Sequence, residues 1–463
     1  MQGYPLWSYE TYRPLLWESG EIDVCRLVPR ADGFLLEWQG GAPPYRVYVR
    51  EARAENFAEV GETDGRSFEV GGLAPRTDYA FRVVSAAGKS RVRLLRTEPP
   101  PCGTVVQYLH PDDRTYAFSG RCLCSPSLVR LPSGALLASM DLYASGAPQN
   151  LTLIYRSDDD GASWHKISEL MPCFWGKLFY HRGALYMLAC STEYGDLLIG
   201  RSTDEGRTFS APVALLRGSG GKGGNVGVHK NPQNMLVCRG RLYGTLEWGS
   251  WSNPDPTYCH AAMVMSCAED ADLLDPASWH FTPPLPYDPH WAGAEPDGEK
   301  GMLEGTLAVT PENELVLFMR YQTEAKKILS FRVPEDPDAP LEYRCAVAFP
   351  GNLSKFMIRR DPADGLYYSV VSRRVDEPRT GRNLLSLLSS PDLARWSLVR
   401  DLIDCRDEDP GKVGFQYVDF LIEGEDLIFL CRTAYGGAHN FHDANYSTFH
   451  RVAGFRAPRR AEE

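Results

Sequence analysis

The chain has 463 residues with a formal net charge of −11, 43% hydrophobic and 11% aromatic residues, 42 Gly and 34 Pro. That length exceeds one ordinary core, so a turn-rich protein of two or more domains, or one large repeat architecture, is expected. The acidic balance argues against nucleic acid or an anionic membrane as partner, yet a few local cations could still hold an acidic ligand.

Residues 1–20 are aromatic and proline-containing without a period, and read as an arm packed on the domain after them. No basic segment leads into an apolar run, and no apolar stretch reaches the roughly 18 residues of a membrane span. A cytoplasmic protein is the expectation, although loss of an export signal would leave the same appearance. The 12 Cys show no tandem C-x-x-C pairs and read as reduced thiols of a core.

From residue 21 to 97 short alternating strands succeed one another: Phe34-Leu-Leu-Glu-Trp38, Tyr45-Arg-Val-Tyr-Val49, Ser67-Phe-Glu-Val70, Tyr79–Val84 and Val92–Leu95. So many strands in so few residues predict a β-sandwich. Glu98-Pro-Pro-Pro-Cys102 (residues 98–102) then reads as a stiff spacer.

Residues 103–463 carry a repeating unit whose second strands open on a turn: Gly134-Ala-Leu-Leu, Gly183-Ala-Leu-Tyr, Gly240-Arg-Leu-Tyr, Asn313-Glu-Leu-Val, Gly365-Leu-Tyr-Tyr and Glu425-Asp-Leu-Ile. Six units with a period near 55 predict a six-bladed β-propeller, with a seventh blade left open. The fold class is therefore all-β. Val105-Val-Gln-Tyr108 is expected to close the last blade. Ser157-Asp-Asp-Asp-Gly161-Ala-Ser-Trp164 recurs 45 residues later as Ser202-Thr-Asp-Glu-Gly206-Arg-Thr-Phe209. In such a corner the Asp caps its own turn's amides, the Gly supplies a positive φ and the aromatic folds back. Gly218–Gly224 lacks a phosphate-loop pattern and reads as a loop at the funnel rim.

In a propeller the first strand of each unit runs along the axis, so polar residues there converge on one funnel. Trp175 and Lys177, His229 and Lys230, Glu304, and Gln416 and Tyr417 lie on first strands. Second strands end in Glu247 and Trp248, in Arg320 and in Arg432, and His439 lies in a late Gly- and Asn-rich loop. Glu304 and Tyr417 bring a carboxylate and a phenol to that funnel. His229 suits an acid/base, and equally the cap of a strand turn; Glu304 and Arg320 equally suit a structural ion pair. Lys177, Lys230, Arg320 and Arg432 suit an anion, and Trp175, Trp248 and Trp251 offer ring faces to a sugar. No cofactor and no metal is called for, and the oligomeric state is not readable.

The twin S-x-D-x-G-x-x-[WF] motifs resemble the Asp-box of sialidase-like β-propellers. Gly72–Val83 with Trp38 resembles the tyrosine-corner segment and core tryptophan of fibronectin type III domains. Glu304-Gly305 with Asn313–Arg320, and Gly414–Tyr417, are similar to the segments carrying the sialidases' glutamate, a substrate-binding arginine and the tyrosine nucleophile. The chain departs at Cys124-Ser-Pro-Ser-Leu-Val129, where sialidases read R-I-P-S-L, so their first carboxylate-binding arginine is Cys124 here. Gly227-Val-His229-Lys230-Asn-Pro-Gln and Gly437-Ala-His439-Asn-Phe-His442-Asp443 look like the branch acting at rhamnose–glucuronate linkages, in which a funnel histidine is central. The resemblance implies an exo-acting glycoside hydrolase removing a terminal sugar from a glycan with a carboxylate-bearing component. A lyase or α-L-rhamnosidase at a rhamnosyl-glucuronate bond, and a non-catalytic glycan-binding propeller, stand as alternatives.

Overall fold

The computed structural model of the chain describes residues 22–218, 225–253, 255, 259–376 and 380–456. The expected N-terminal arm and most of the Gly218–Gly224 loop lie outside them. The protein is all-β, built almost wholly of antiparallel sheets.

Two small sheets come first. One holds Ile22–Pro29, Phe34–Gly40 and Ser67–Val70; the other holds Ala58–Thr63, Tyr45–Glu51 and Asp78–Ser85, with Gly88–Lys89 and Arg93–Arg96 both paired to Asp78–Ser85. Alternation sends Phe34, Leu36 and Trp38 from one sheet and Tyr45, Val47, Phe81 and Val83 from the other into one core. Trp38 meets the edge of Tyr45 at 5.2 Å, and Phe34 meets Phe81 at 5.3 Å. The Tyr79 hydroxyl accepts the Ala74 amide at 2.9 Å, tying the strand to the turn that precedes it.

Six antiparallel sheets come next in chain order, each with a path of four strands. The first strands of these sheets are Cys122–Arg130, Phe174–His181, Gly227–His229, Met302–Val309, Arg359–Arg360 and Gly414–Glu423. The sixth sheet takes its outermost strand from the chain's earlier part: Thr104–Tyr108 pairs with Tyr446–Ala453, Tyr108 opposite Tyr446. This is the closing strand expected at Val105–Tyr108, and it pairs the start of the repeat region with its last long strand.

The recurring corners fold as their sequence implies. Asp159 Oδ1 accepts the Ser157 hydroxyl and the Ser163 amide, both at 2.8 Å, and Asp204 Oδ1 accepts the Ser202 hydroxyl at 2.8 Å and the Thr208 amide at 2.9 Å. Trp164 is fully buried against Phe449. The two glycines have φ of +91° and +88° but unlike surroundings: a Cβ on Gly161 would stand 2.1 Å from the Phe449 ring, whereas one on Gly206 would meet the flexible Leu137 side chain at 2.9 Å. Gly206→Ala is expected to cost roughly 1–2 kcal/mol for the left-handed backbone, and Gly161→Ala more because the ring is wedged in a packed core. Thermal unfolding of both variants checks the order.

The feature that builds the central site is a repeated bulge. Register shifts interrupt the first strand of the first, second, fourth and sixth sheets, between Cys124 and Ser127, Phe174 and Lys177, Leu303 and Thr306, and Gln416 and Asp419. Inside each lies one non-glycine residue with positive φ: Ser125 at 48°, Trp175 at 51°, Glu304 at 56° and Tyr417 at 57°. A bulge re-aims a side chain that regular pleating would send elsewhere, at a backbone cost of order 1–3 kcal/mol.

Candidate functional site

Two of the re-aimed residues meet. The Tyr417 hydroxyl donates to Glu304 Oε1 at 2.6 Å, and Arg320 Nη1 donates to Glu304 Oε2 at 2.5 Å while standing 3.3 Å from the Tyr417 oxygen. All three side chains are buried. Burial pushes the Glu304 carboxyl upward, but Arg320, the Tyr417 hydroxyl and His229 outweigh it, so the group is held below its ordinary value and is ionised. Burial and then Glu304 raise the Tyr417 phenol, against the pull of Arg320, Arg382 and Arg432.

Those arginines form the second layer. The Arg432 guanidinium lies 4.9 Å from the centre of the Tyr417 ring and that of Arg382 lies 5.8 Å from it. Arg382 donates to Gln416 Oε1 and to the Leu353 carbonyl, and Arg432 donates to the His442 carbonyl. Among the described residues neither has a carboxylate partner. Burial, then Arg320 and Arg432, bring Arg382 down to about 10. One carboxylate among three guanidiniums leaves a local positive field in a protein of net charge −11.

A third layer holds His229. Its Nδ1 pairs with Glu247 Oε2, and the other oxygen of Glu247 accepts the Gly305 amide at 3.1 Å, so Glu247 couples the histidine to the backbone next to Glu304. The Trp175 ring meets His229 at 4.1 Å and the His260 ring meets it at 4.4 Å. Burial, then His229 and Arg320, hold His260 well below the usual histidine range, so it is neutral. Tyr194 lies over both histidines.

Other residues singled out from the sequence are placed elsewhere. Lys177 is buried in an ion pair with Asp419, which also faces Arg359 at 3.6 Å. Lys230 is buried too, donating to the Trp175 carbonyl at 2.9 Å and the Leu188 carbonyl at 3.3 Å, and burial brings it down to about 8. Both act here as struts behind the bulges rather than as groups facing open space. Gln416 is enclosed, joining Arg382 to the Phe441 carbonyl at 2.5 Å. Trp248 is half-buried, opposite Val228. His439 is exposed and pairs with Asp112 at 3.2 Å; the histidine that reaches Arg432 is His442. Cys124 is buried in an apolar cluster and supplies no charge. Arg382, His260, Tyr194 and His442 are the members of the site that strand-start reasoning did not reach. Among the described residues no group of three or more His, Cys, Asp or Glu side chains is gathered as a metal would need.

Two cavities flank the centre. One, of about 520 Å³, is walled by Arg320, Arg374, Arg382, Glu324 and Phe441. The other, of about 560 Å³, is walled by Trp251, His260, Tyr287, Glu299, Lys300 and Met302.

No family model matches the sequence, and no curated protein matches it. Solved structures do. An α-L-arabinanase of Penicillium chrysogenum complexed with arabinobiose is 16% identical, with 78% of this chain and 100% of that chain covered and a TM-score of 0.51. The Hadza microbial sialidase Hz136 is 13% identical, with 93% and 96% covered and a TM-score of 0.51. A PL25 ulvan lyase bound to a glucuronate–rhamnose 3-sulfate repeat is 10% identical at a TM-score of 0.44, a likeness too low to argue from. The first two show that the fold is one that glycan-active enzymes use.

Proposed function

We propose that this chain is an exo-acting glycoside hydrolase of sialidase-like fold, a fibronectin III-like sandwich followed by a six-bladed propeller, that removes a terminal carboxylate-bearing sugar from a glycan. Six successive four-stranded paths, the late closing strand and the twin corners support the propeller; the shared core of the two small sheets and the Tyr79 hydroxyl's bond support the sandwich. The observation that carries the activity is the 2.6 Å contact of Tyr417 with an ionised Glu304 under three guanidiniums.

The chemistry rests on those atoms. Tyr417 Oη bonds to the anomeric carbon as its proton passes to Glu304, because a phenol is a poor nucleophile until a base takes that proton. The glycosidic bond breaks, and its oxygen takes a proton from His229, oriented by Glu247. Water then attacks the anomeric carbon and returns a proton to His229, while Tyr417 leaves and recovers its own from Glu304. Arg382 and Arg432, which have no carboxylate partner among the described residues, hold the sugar's carboxylate.

Incubation with a panel of plant and mucin glycans tests this reading: an intact acidic sugar is released with water gained. A second reading rests on the His229–Glu247 pair, a base able to take the proton α to a uronate carboxylate while the arginines stabilise the enolate, as a lyase at a rhamnosyl-glucuronate bond would need. An unsaturated uronate among the products, seen by its ultraviolet absorbance, would favour it over hydrolysis. Absence of product with measurable glycan binding would leave a binding propeller.

The electrostatics make a further expectation testable. Arg320 holds the Glu304 carboxyl down against burial, so in Arg320→Met that carboxyl rises. A base with a raised value is protonated at higher pH, so the acidic limb of kcat/KM is expected to move upward from its wild-type position. A pH–rate profile of the two proteins checks it; an unmoved limb would take Glu304 out of the base role.

A further inference from the structure

The two cavities beside the catalytic centre are unlike. The first is walled by Arg320, Arg374 and Arg382. The second presents aromatic rings, Trp251 at 39% exposure among them, with the Lys300 ammonium 5.5 Å from the centre of the Trp251 ring. Hydrogen bonds fix the backbone at Trp251 and the hydroxyl of Tyr287. The Trp251 amide donates to the Tyr194 hydroxyl at 3.0 Å, and the Tyr287 hydroxyl meets that of Tyr321 at 2.6 Å. Gly301 at φ +66° lets the backbone pass close under Tyr287, where a Cβ would stand 3.0 Å from the Tyr287 Cβ. His260 links the cavity to the third layer of the site: it stands in the cavity wall, with its ring 5.5 Å from Trp251 and 4.4 Å from His229.

These positions fix a direction. The group that protonates a departing glycosidic oxygen must stand on the leaving group's side of the bond. His229 reaches the aromatic cavity through His260, while Arg382, without a carboxylate partner among the described residues, stands in the wall of the basic one. Resting on the catalytic roles of Tyr417 and Glu304, we propose that the Trp251–Tyr287–Lys300 cavity is a leaving-side subsite that stacks the pyranose next to the scissile bond on Trp251, with Lys300 donating to its oxygens. The enzyme is then built for oligosaccharide and polysaccharide ends rather than for simple glycosides. The apolar area and π-face of the ring suit the C–H face of a pyranose.

The test is isothermal titration of the full chain carrying Tyr417→Phe, alone and combined with Trp251→Ala or Lys300→Ala. Thermal unfolding confirms that each variant is folded: Trp251 and Lys300 are exposed, and Tyr417→Phe removes a single oxygen. The probes are free N-acetylneuraminic acid and free glucuronic acid, and tetrasaccharides ending in each. In Tyr417→Phe the preferred tetrasaccharide is expected to bind about tenfold more tightly than its free acidic sugar, and the ratio is expected to collapse toward one with Trp251→Ala and to fall with Lys300→Ala. Equal affinities for sugar and tetrasaccharide, or a ratio untouched by Trp251→Ala, would overturn the subsite and leave the catalytic reading standing. If no acidic sugar and no tetrasaccharide binds, the catalytic reading falls and this one with it.

Discussion

Tyr417→Phe is expected to lower kcat on the order of 10³-fold with KM little changed. The substitution removes one oxygen and leaves the ring where Arg432 and Arg382 face it, 4.9 and 5.8 Å from its centre. The guanidiniums proposed to hold the sugar's carboxylate are thus left in place, and only the oxygen proposed as nucleophile and its 2.6 Å link to Glu304 are lost. That split between kcat and KM distinguishes a nucleophile from a packing tyrosine, whose loss would lower stability and scatter both constants. Glu304→Gln should behave differently. It also removes turnover, but it strands Arg320, a buried cation whose carboxylate partner is Glu304, and so destabilises the fold as well. Steady-state kinetics together with thermal unfolding separate the two variants. A Tyr417→Phe protein that retains full turnover would move the chemistry to His229 and Glu247.

How far the site could be read from the chain depends on how local each feature is. The corners at Ser157–Trp164 and Ser202–Phe209 were legible because every bond that shapes them lies within eight residues, Asp159 to Ser163 or Asp204 to Thr208. The closing strand at Val105–Tyr108 was legible because the last unit has three strands of its own, and the short apolar strand at the start of the repeat region is there to supply the fourth. The bulges were not. Ser-Pro-Ser, Trp-Gly-Lys, Glu-Gly-Thr and Tyr-Val-Asp have no residue pattern common to all four, and the conformation they share is imposed by the sheets around them. Because side chains alternate along a strand, one extra residue reverses which face the following positions take. Lys177, two residues past the positive-φ Trp175, therefore turns into the interior to meet Asp419 instead of lining open space. His260 and Arg382 escaped for another reason: each stands at the approach to a third strand, Ala261–Ala268 or Leu384–Ser390, and only the packing of neighbouring sheets brings those ends to the centre.

The two small sheets are held to the six-sheet body by buried polar groups, and the largest stability effect is expected there. Arg93 Nε donates to Asp113 Oδ2 at 2.6 Å, its Nη1 donates to the Val24 carbonyl at 2.8 Å, and Asp113 Oδ1 accepts the Thr115 amide at 2.8 Å. Each side chain of the pair is 2% exposed. Around it Arg26 donates to the Val105 and Val106 carbonyls, both at 3.1 Å, and Gln107 bridges Cys25 and Tyr155. Arg93→Ala or Asp113→Ala should each cost about 3–5 kcal/mol, because the remaining charge is left buried without its partner. The joint change Arg93→Leu with Asp113→Leu should cost distinctly less, since it removes both desolvated charges at once. Acid dependence gives the same answer from another side. Burial pushes the Asp113 carboxyl up, but Arg93 and the Thr115 hydrogen bonds outweigh it, so its folded value lies below its unfolded one. A depressed carboxyl contributes stability that is fully present above the unfolded value, near about 4, and is lost as pH falls through the folded one. Thermal unfolding of the wild type and Asp113→Asn across that window should therefore show a gap that is wide at neutral pH and narrows on acidification. A gap of constant width would mean that Asp113 stabilises this junction by packing and hydrogen bonding alone, with its charge contributing nothing.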